Sequence, residues 1–410
     1  MVSAADTAWL LVSAALVMLM TPGLALFYGG MVRRKNLLST MMMSFAILAL
    51  IGLLWVLYGY SLAFGTDIGG VIGGLDFIGL RGVGQAPSTV YATTVPHLAF
   101  MIYQAMFAVI TVALITGAIV ERMKFSALLL FSVLWFTLVY IPVAHWVWGS
   151  GGWLAKWGAL DFAGGTVVHI TAGVSALSLA RLLGPRRGYR SGPMEPNSIP
   201  LVALGAALLW FGWFGFNAGS ALTSGGLAAS AFVSTNTAAA AAGFTWMVLS
   251  WVQRRPSVLG IATGAVVGLV AVTPAAGYIS PMMAIPIGMI GATLSYFAMS
   301  FRARKMAVDE SLDVWACHGI GGTWGALATG IFASVTVNSA GANGLVYGNG
   351  LLVLKQLAGI AAVWAFSFGV TWVLGKAVNR VVGLRVSQTE ETVGLDLSQH
   401  GEKAYGGVLR

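Results

Sequence analysis

The chain has 410 residues, of which 58% are hydrophobic and only 9% charged, with a formal net charge of +9. A soluble globular chain carries about 25% charged residues, so a water-soluble domain is excluded. Mean hydropathy is +0.85, and apolar runs of spanning length recur from end to end. That pattern reads as an all-α, polytopic membrane protein, whereas an outer-membrane barrel would give short alternating segments.

Eleven spans are expected, at roughly 7–31, 38–64, 97–120, 125–145, 164–183, 198–219, 226–252, 257–273, 281–301, 312–333 and 350–378. With the N-terminus outside and the C-terminus inside, all of the 22 basic residues except Arg81, Lys156 and Lys355 fall in inner loops or the tail. The positive-inside rule therefore favours that orientation and an odd number of spans. It also explains the basic pI without a nucleic-acid partner. Asp6 stands where a signal peptide would be basic, so no cleaved leader is expected. A transmembrane domain over 1–380 is followed by a polar tail over 381–410, too short for a domain and either disordered or docked. The Gly-rich loop Gly65–Pro96 reads as an outer cover, and the Pro- and Arg-rich loop Gly184–Pro200 as an inner one.

An internal repeat is visible. Span 1 carries Gly23-x3-Phe27-x2-Gly30, and span 6 carries Gly212-x3-Phe216-x2-Gly219. Span 5 holds Asp161 and then His169, and span 10 holds Asp313 and then His318. Five spans reverse the direction of the next five, so the halves are inverted repeats, with span 11 outside them. Such folds place their site near the bilayer midplane, between the halves.

His169 sits in GGTVVHITAG and His318 in WACHGIGGTWG. An ionisable ring at bilayer depth is a functional-site hypothesis. The two enter from opposite sides, so they are expected to meet and to leave one ring nitrogen each for a lumen. The alternative is two unrelated packing histidines bonded to carbonyls. His97, His145 and His400 lie at span ends or in the tail and read as solvated. Among the aromatics, Phe107 follows Tyr103 by one turn, Phe216 stands near Trp213, and Trp148 lies in a Trp-rich stretch. Aromatic faces attract cations within about 6 Å, and Ser220 could add an acceptor beside such a cage, although a lone Trp148 could equally be an interfacial anchor. Asp161 precedes Gly-Gly and reads as a capping carboxylate before a proton-transfer base. Glu121 opens an inner loop, solvated or paired. Cys317 is the only cysteine, so neither a disulfide nor a thiolate cluster is available. No Walker A sequence, HExxH or Gly-x-Ser-x-Gly elbow occurs. Neither a cofactor nor enzymatic activity is expected.

Six stretches together resemble the ammonium transporter (Amt/Mep/Rh) family on its prokaryotic Amt side. They are FGWFGFNAGSA (Phe211–Ala221), HWVWGSGG (His145–Gly152), ALDFAGGTVVHI (Ala159–Ile170), TPAAGYI (Thr273–Ile279), CHGIGG (Cys317–Gly322) and GLRVSQTEETVGLDLSQHGE (Gly383–Glu402). The resemblance implies eleven helices in an inverted five-plus-five repeat with a final helix. It also implies a homotrimer in the plasma (inner) membrane with one pore per subunit. Trp148 and Ser220 then resemble an outer ammonium-recruiting site, joined by Tyr103 and Phe107. Tyr103 stands where many relatives carry phenylalanine. Phe107 and Phe216 resemble a gate, and His169 and His318 the twin histidines of the pore. Trp213 and Tyr140 resemble aromatics along the path, and Asp161 an acid that holds the outer site or assists deprotonation. The tail suggests a PII-type signalling partner at the cytoplasmic face, or else a brace between subunits. The function implied is transport of ammonium or ammonia. The alternatives are an ammonium sensor on the same scaffold, an Rh-type gas channel, and an intramembrane enzyme holding a metal on the two histidines.

Overall fold

The computed structural model describes residues 1–253 and 255–406. Arg254 and Arg410, both counted above among the inner basic residues, and the last four residues of the tail lie outside the described residues. The architecture is all-α. Helix α1 is Ala4–Met31, α2 Arg34–Phe64, α3 His97–Ala118, α4 125–148, α5 Gly165–Leu183, α6 Ile199–Ala221, α7 Gly226–Gln253, α8 Val258–Val272, α9 Pro281–Met306, α10 315–332 and α11 Leu351–Val381. Among the described residues, eight helices are long and apolar enough to cross a membrane. The remaining three of these rods are α7, diluted by Ser, Thr and Asn, the short α8, and the Gly-rich α10. Of these, α8 is apolar but only 15 residues long.

Small residues set the two central crossings, because in lipid they let backbones approach closely. On α6, a Cβ at Gly205 would strike the Phe27 nitrogen and the Gly23 carbonyl of α1. On α10, a Cβ at Gly322 would sit 2.9 Å from the Gly165 carbonyl of α5. A Cβ at Gly173 would meet the Gly319 backbone. The helices bearing the repeated Gly/Phe motif thus cross each other, and so do those bearing the two histidines. Both histidine helices open with a turn of π-helix, Gly165–Ile170 and Trp315–Ile320. Single π turns inside helices re-aim side chains and recur at functional sites.

The two ends of the bundle differ. At the Trp148 end, the 65–96 segment forms two small antiparallel hairpins, β1 Asp67–Ile68 with β2 Ile72–Gly73, and β3 Pro87–Ser88 with β4 Ala92–Pro96. The Val71 carbonyl in the first hairpin accepts from Trp146 Nε1 at 3.0 Å. The expectation of solvated histidines fails here. His145 is buried, with Nδ1 on the Ala63 carbonyl at 2.8 Å and Nε2 on Asp67 at 3.0 Å. His97 is buried against Tyr60. The cover loop supplies partners that a count of span ends cannot see. His400 is half-buried, edge-on to Phe125 at 5.0 Å.

At the opposite, arginine-rich end, buried charges tie the loops together. Glu121 takes Arg33 at 3.0 Å and Arg186 at 2.9 Å, and Arg186 also grips Asp309 at 2.8 Å. Burial raises the Glu121 carboxyl, but the two guanidiniums outweigh it and hold it below its usual range. Arg122, wholly buried, donates to the Gly184 carbonyl, Ser311 Oγ and the Asp309 carbonyl, and burial pushes its pKa down to about 10.

The tail is docked on this end. Val386 N donates to the Arg122 carbonyl at 3.0 Å. Helices α12 (Gln388–Val393) and α13 (Leu395–His400) follow, the first closed by a Ser387/Glu390 capping box. Asn36 bridges tail and charge cluster, with Nδ2 donating to Glu121 at 3.0 Å and Oδ1 accepting from Leu395 N at 2.8 Å.

Candidate functional site: a constricted pore between two vestibules

Three cavities lie along the bundle. At the Trp148 end, one of about 470 Å³ is lined by Phe107, Trp148, Ser220, Gln104 and Asp161, with Lys355 on its wall. At the arginine-rich end, one of about 430 Å³ reaches Tyr28, Asp313, Cys317 and His318. Between them lies a space of only about 20 Å³, walled by Phe216, Trp213, His169, His318, Tyr28 and apolar side chains such as Leu114 and Val168. A water-sized molecule needs roughly 10–15 Å³ by this measure. The constriction therefore holds a molecule of that size and has no room for a hydration shell.

The wide mouth is aromatic. Phe107 stands edge-on to Trp148 at 5.7 Å. Trp148 is fixed by its Nε1–H, which donates to the Asp161 carbonyl at 3.0 Å. Ser220 donates to the Phe216 carbonyl at 2.9 Å, which leaves its oxygen lone pairs as acceptors. Tyr103, expected at this site, stands behind it. Its ring is fully buried and packs on Phe107 at 5.0 Å, while its hydroxyl turns to the Gly215 and Phe216 carbonyls of α6 at 2.9 and 2.8 Å. It also lies 3.1 Å from Ser220 Oγ. The hydroxyl therefore fixes the α6 end and Ser220 without lining the vestibule.

Below the mouth, Phe107 and Phe216 overlap with centroids 4.3 Å apart and planes at 33°, closing the way down. Beneath them the His169 ring lies nearly parallel to Phe216 and to Trp213, at 5.9 and 5.4 Å. Trp213 is held by donating to Thr273 at 2.9 Å. His169 and His318 face each other with Nδ1 to Nδ1 at 3.2 Å. One Nδ1 must donate and the other accept, so each ring's Nε2 takes the opposite role to its own Nδ1. Nε2 of His169 has no protein partner.

Asp161 caps the His169 helix. Oδ1 accepts from Gly164 and Gly165 N at 2.8 and 2.7 Å, and Oδ2 from Thr166 and Val167 N at 2.8 and 3.2 Å. These donors are helix-start N–H groups that would otherwise be orphaned. With both oxygens occupied, Asp161 is committed to capping under the Trp148 mouth; burial raises its carboxyl, and the four backbone donors pull it back down. Tyr140 is placed elsewhere: it packs on Phe136 and Trp55 at 6.1 and 6.4 Å and is absent from the lining of all three cavities. The expected pairing of Asp161 with Asp313 is also corrected. Asp313 binds Arg302 at 2.6 Å, whereas Glu310 caps the His318 helix by accepting from Trp315 N at 2.7 Å. Glu310 precedes His318 by the same eight residues that separate Asp161 from His169.

Sequence reasoning missed Gln104 and Tyr28. Gln104 lines the mouth, and its buried Oε1 has no partner. Tyr28 lines both the constriction and the arginine-rich vestibule. Gln104 lies on α3 one turn before Phe107, which was a usable signal. Tyr28 follows Phe27 of the repeated motif, and nothing in the motif distinguishes it.

Fold and site together define a polytopic helical membrane protein with a narrow, apolar, imidazole-lined passage. The Ammonium Transporter Family model matches residues 8–405, and the chain belongs to that family. It is 54% identical over 400 residues to the ammonium transporter Amt1 of Archaeoglobus fulgidus, covering 98% of this chain and 99% of that one. It is 53% identical over 401 residues to an ammonium transporter of Bacillus subtilis, covering 98% of each. Among solved structures it resembles Candida albicans Mep2, with a TM-score of 0.90, 37% identity, and coverage of 98% of this chain and 90% of that one. It also resembles a "Sensor Amt Protein", with a TM-score of 0.88, 29% identity, and coverage of 97% and 98%.

Proposed function

We propose that this ammonium transporter works by recruiting the cation at Trp148, Phe107 and Ser220, gating it with Phe107 and Phe216, and passing it as ammonia along His169 and His318. Ammonium and potassium are close in size, so a hole cannot separate them. Ammonium differs in donating directed hydrogen bonds and in being able to lose a proton. The aromatic mouth attracts either cation, by up to about 2 kcal/mol where desolvated. The constriction then penalises any ion that must keep its charge, since burying an unpaired charge costs many kcal/mol. Ammonium avoids that cost by leaving its proton to the imidazole pair and crossing as ammonia. Asp161 keeps the mouth in shape by capping the His169 helix and holding Trp148. The observation that carries this reading is the 3.2 Å imidazole pair inside a space of about 20 Å³.

All eleven helices cross the membrane in this reading, with residues 1–380 forming the membrane domain and 381–410 the tail. The Trp148 end faces outward in the plasma membrane, and the arginine-rich end and tail face the cytoplasm, as the positive-inside rule favours. The assembly is a homotrimer, and a PII-type protein is the partner at the cytoplasmic face. The test is current from purified protein on a solid-supported membrane after an ammonium jump. A saturable current with ammonium and none with potassium supports the reading. Equal currents with both ions would refute it. A second reading, a sensor on the same scaffold, is favoured by the likeness to the Sensor Amt Protein and by the docked tail. It predicts ammonium binding without flux.

A further inference from the structure

The inverted halves place one buried carboxylate ahead of each pore histidine, and the two carboxylates are not equally served. Asp161 has both oxygens filled by backbone donors. Glu310 is 1% exposed, and its Oε1 accepts from Trp315 N at 2.7 Å, but its Oε2 has no hydrogen-bond partner. The nearest cation to Oε2 is Arg302, with Nε 3.9 Å away. That guanidinium is already committed, with Nη2 and Nε on Asp313 at 2.6 and 3.1 Å and Nη1 on the Val308 carbonyl.

A carboxylate left with an orphan oxygen in a dry site favours its protonated form. Burial pushes the Glu310 pKa up to about 8; Arg302 pulls it down and Asp313 pushes it back up. The groups facing it are Arg302 from α9, Tyr28 from α1, and Asp313 and Cys317 from its own segment and helix. The arginine-rich vestibule is walled by Ser311, Asp313, Cys317 and His318. Glu310 lies behind this wall, next in the chain to Ser311, and the cavity reaches the chain on both sides of the turn that Glu310 caps.

We propose that Glu310 is the proton acceptor at the arginine-rich end of the path, receiving the proton that the His169–His318 pair carries inward. The inference rests on the transport reading above. In the step, the imidazolium N–H bond breaks and a water chain in the vestibule passes the proton on. An O–H bond forms at Glu310 Oε2, and the imidazole returns to neutral. The O–H bond then breaks to vestibule water and restores the carboxylate. Asp161 cannot do this without giving up its cap. The two carboxylates therefore make the two ends of the path unlike, with a fully bonded cap at the mouth and an acid with a free oxygen at the exit.

The test is the pH profile of the ammonium current for wild type, Glu310→Gln and Glu310→Asp. Glutamine keeps the volume and the oxygen that accepts from Trp315 N, so a purely capping role survives it. In wild type the current should rise as the arginine-rich side is taken through about pH 8, because the ionised form is the acceptor. In Glu310→Gln that rise should vanish, with the current at pH 9 lower by about tenfold or more, a modest loss for a proton-transfer group. Glu310→Asp should keep a rise at a shifted pH, and it serves as the variant if the glutamine protein does not fold. A carboxyl band titrating near pH 8 in the infrared spectrum should be present in wild type and absent in Glu310→Gln. Profiles for either variant that superimpose on wild type would overturn the proposal and leave Glu310 as a cap. If wild type itself carries no ammonium current, the transport reading fails and this inference falls with it.

Discussion

His169 and His318 lie 149 residues apart in the chain and 3.2 Å apart at their Nδ1 atoms. Each helix alone would bury an imidazole with an unmet nitrogen. Crossed at Gly173 and Gly322, they satisfy one another and leave Nε2 of His169 unpaired toward the constriction. Replacing His169 by leucine removes the proton-exchanging ring from the stack under Phe216. Ammonium current should fall by on the order of 10²-fold, the usual contribution of a positioned acid–base group. Ammonium-jump currents check it, and an unchanged rate with unchanged exclusion of potassium would refute the role.

Phe107 and Phe216 close the mouth with a centroid separation of 4.3 Å. Truncating Phe216 to alanine opens the constriction to the Trp148 vestibule and removes one face of the His169 stack. The loss of a buried aromatic side chain costs about 3–5 kcal/mol. The thermal midpoint should drop, and potassium should begin to compete for passage. Parallel melting curves and potassium-jump currents separate the structural effect from the gating effect.

Gln104 offers the mouth a side-chain amide with no protein partner for Oε1. Gln104→Leu should weaken apparent ammonium affinity by about 5- to 10-fold, the worth of roughly one hydrogen bond to a charged group. It should leave the maximal rate nearly intact, because the amide lies above the gate. A titration of current against ammonium concentration reads both quantities.

Glu121 sits between Arg186 and Arg33, with its carboxyl held below the usual range. Its contribution to stability is therefore fully present above the ordinary carboxyl pKa and is lost as pH falls through the depressed value. Glu121→Ala leaves Arg33 without its carboxylate and Arg186 with Asp309 alone, and should cost up to about 3 kcal/mol, the low end for a broken buried pair. Thermal melts of wild type and variant should differ at pH 7 and converge in strong acid.

Asn36 holds the tail through Leu395 N and the charge cluster through Glu121. Asn36→Ala should loosen α12 and α13, which Lys35, Ser39 and Arg187 still hold, while the membrane helices stay intact. Hydrogen exchange over residues 387–400 should rise by about 10-fold, the equivalent of one lost hydrogen bond. Exchange in α1 and α6 should not change.

The sequence by itself determined the class of protein, the helical segments and the repeat, because bilayer length and charge asymmetry act on local stretches of chain. It also singled out the two histidines that meet at 3.2 Å, since an embedded imidazole stands out against apolar neighbours. Tertiary structure decided which groups meet. Asp313 reads as the partner of Asp161 until Arg302 is seen on it and Glu310 on the helix cap. His145 reads as solvated until the β1–β2 hairpin folds over it. Tyr140 reads as a path residue until it packs on Phe136 and Trp55, and Tyr103 reads as a mouth residue until its hydroxyl turns to α6. Hydropathy records whether a residue tolerates burial. The identity of the burying neighbour comes from helix crossings and loop closure, which join residues far apart in the chain.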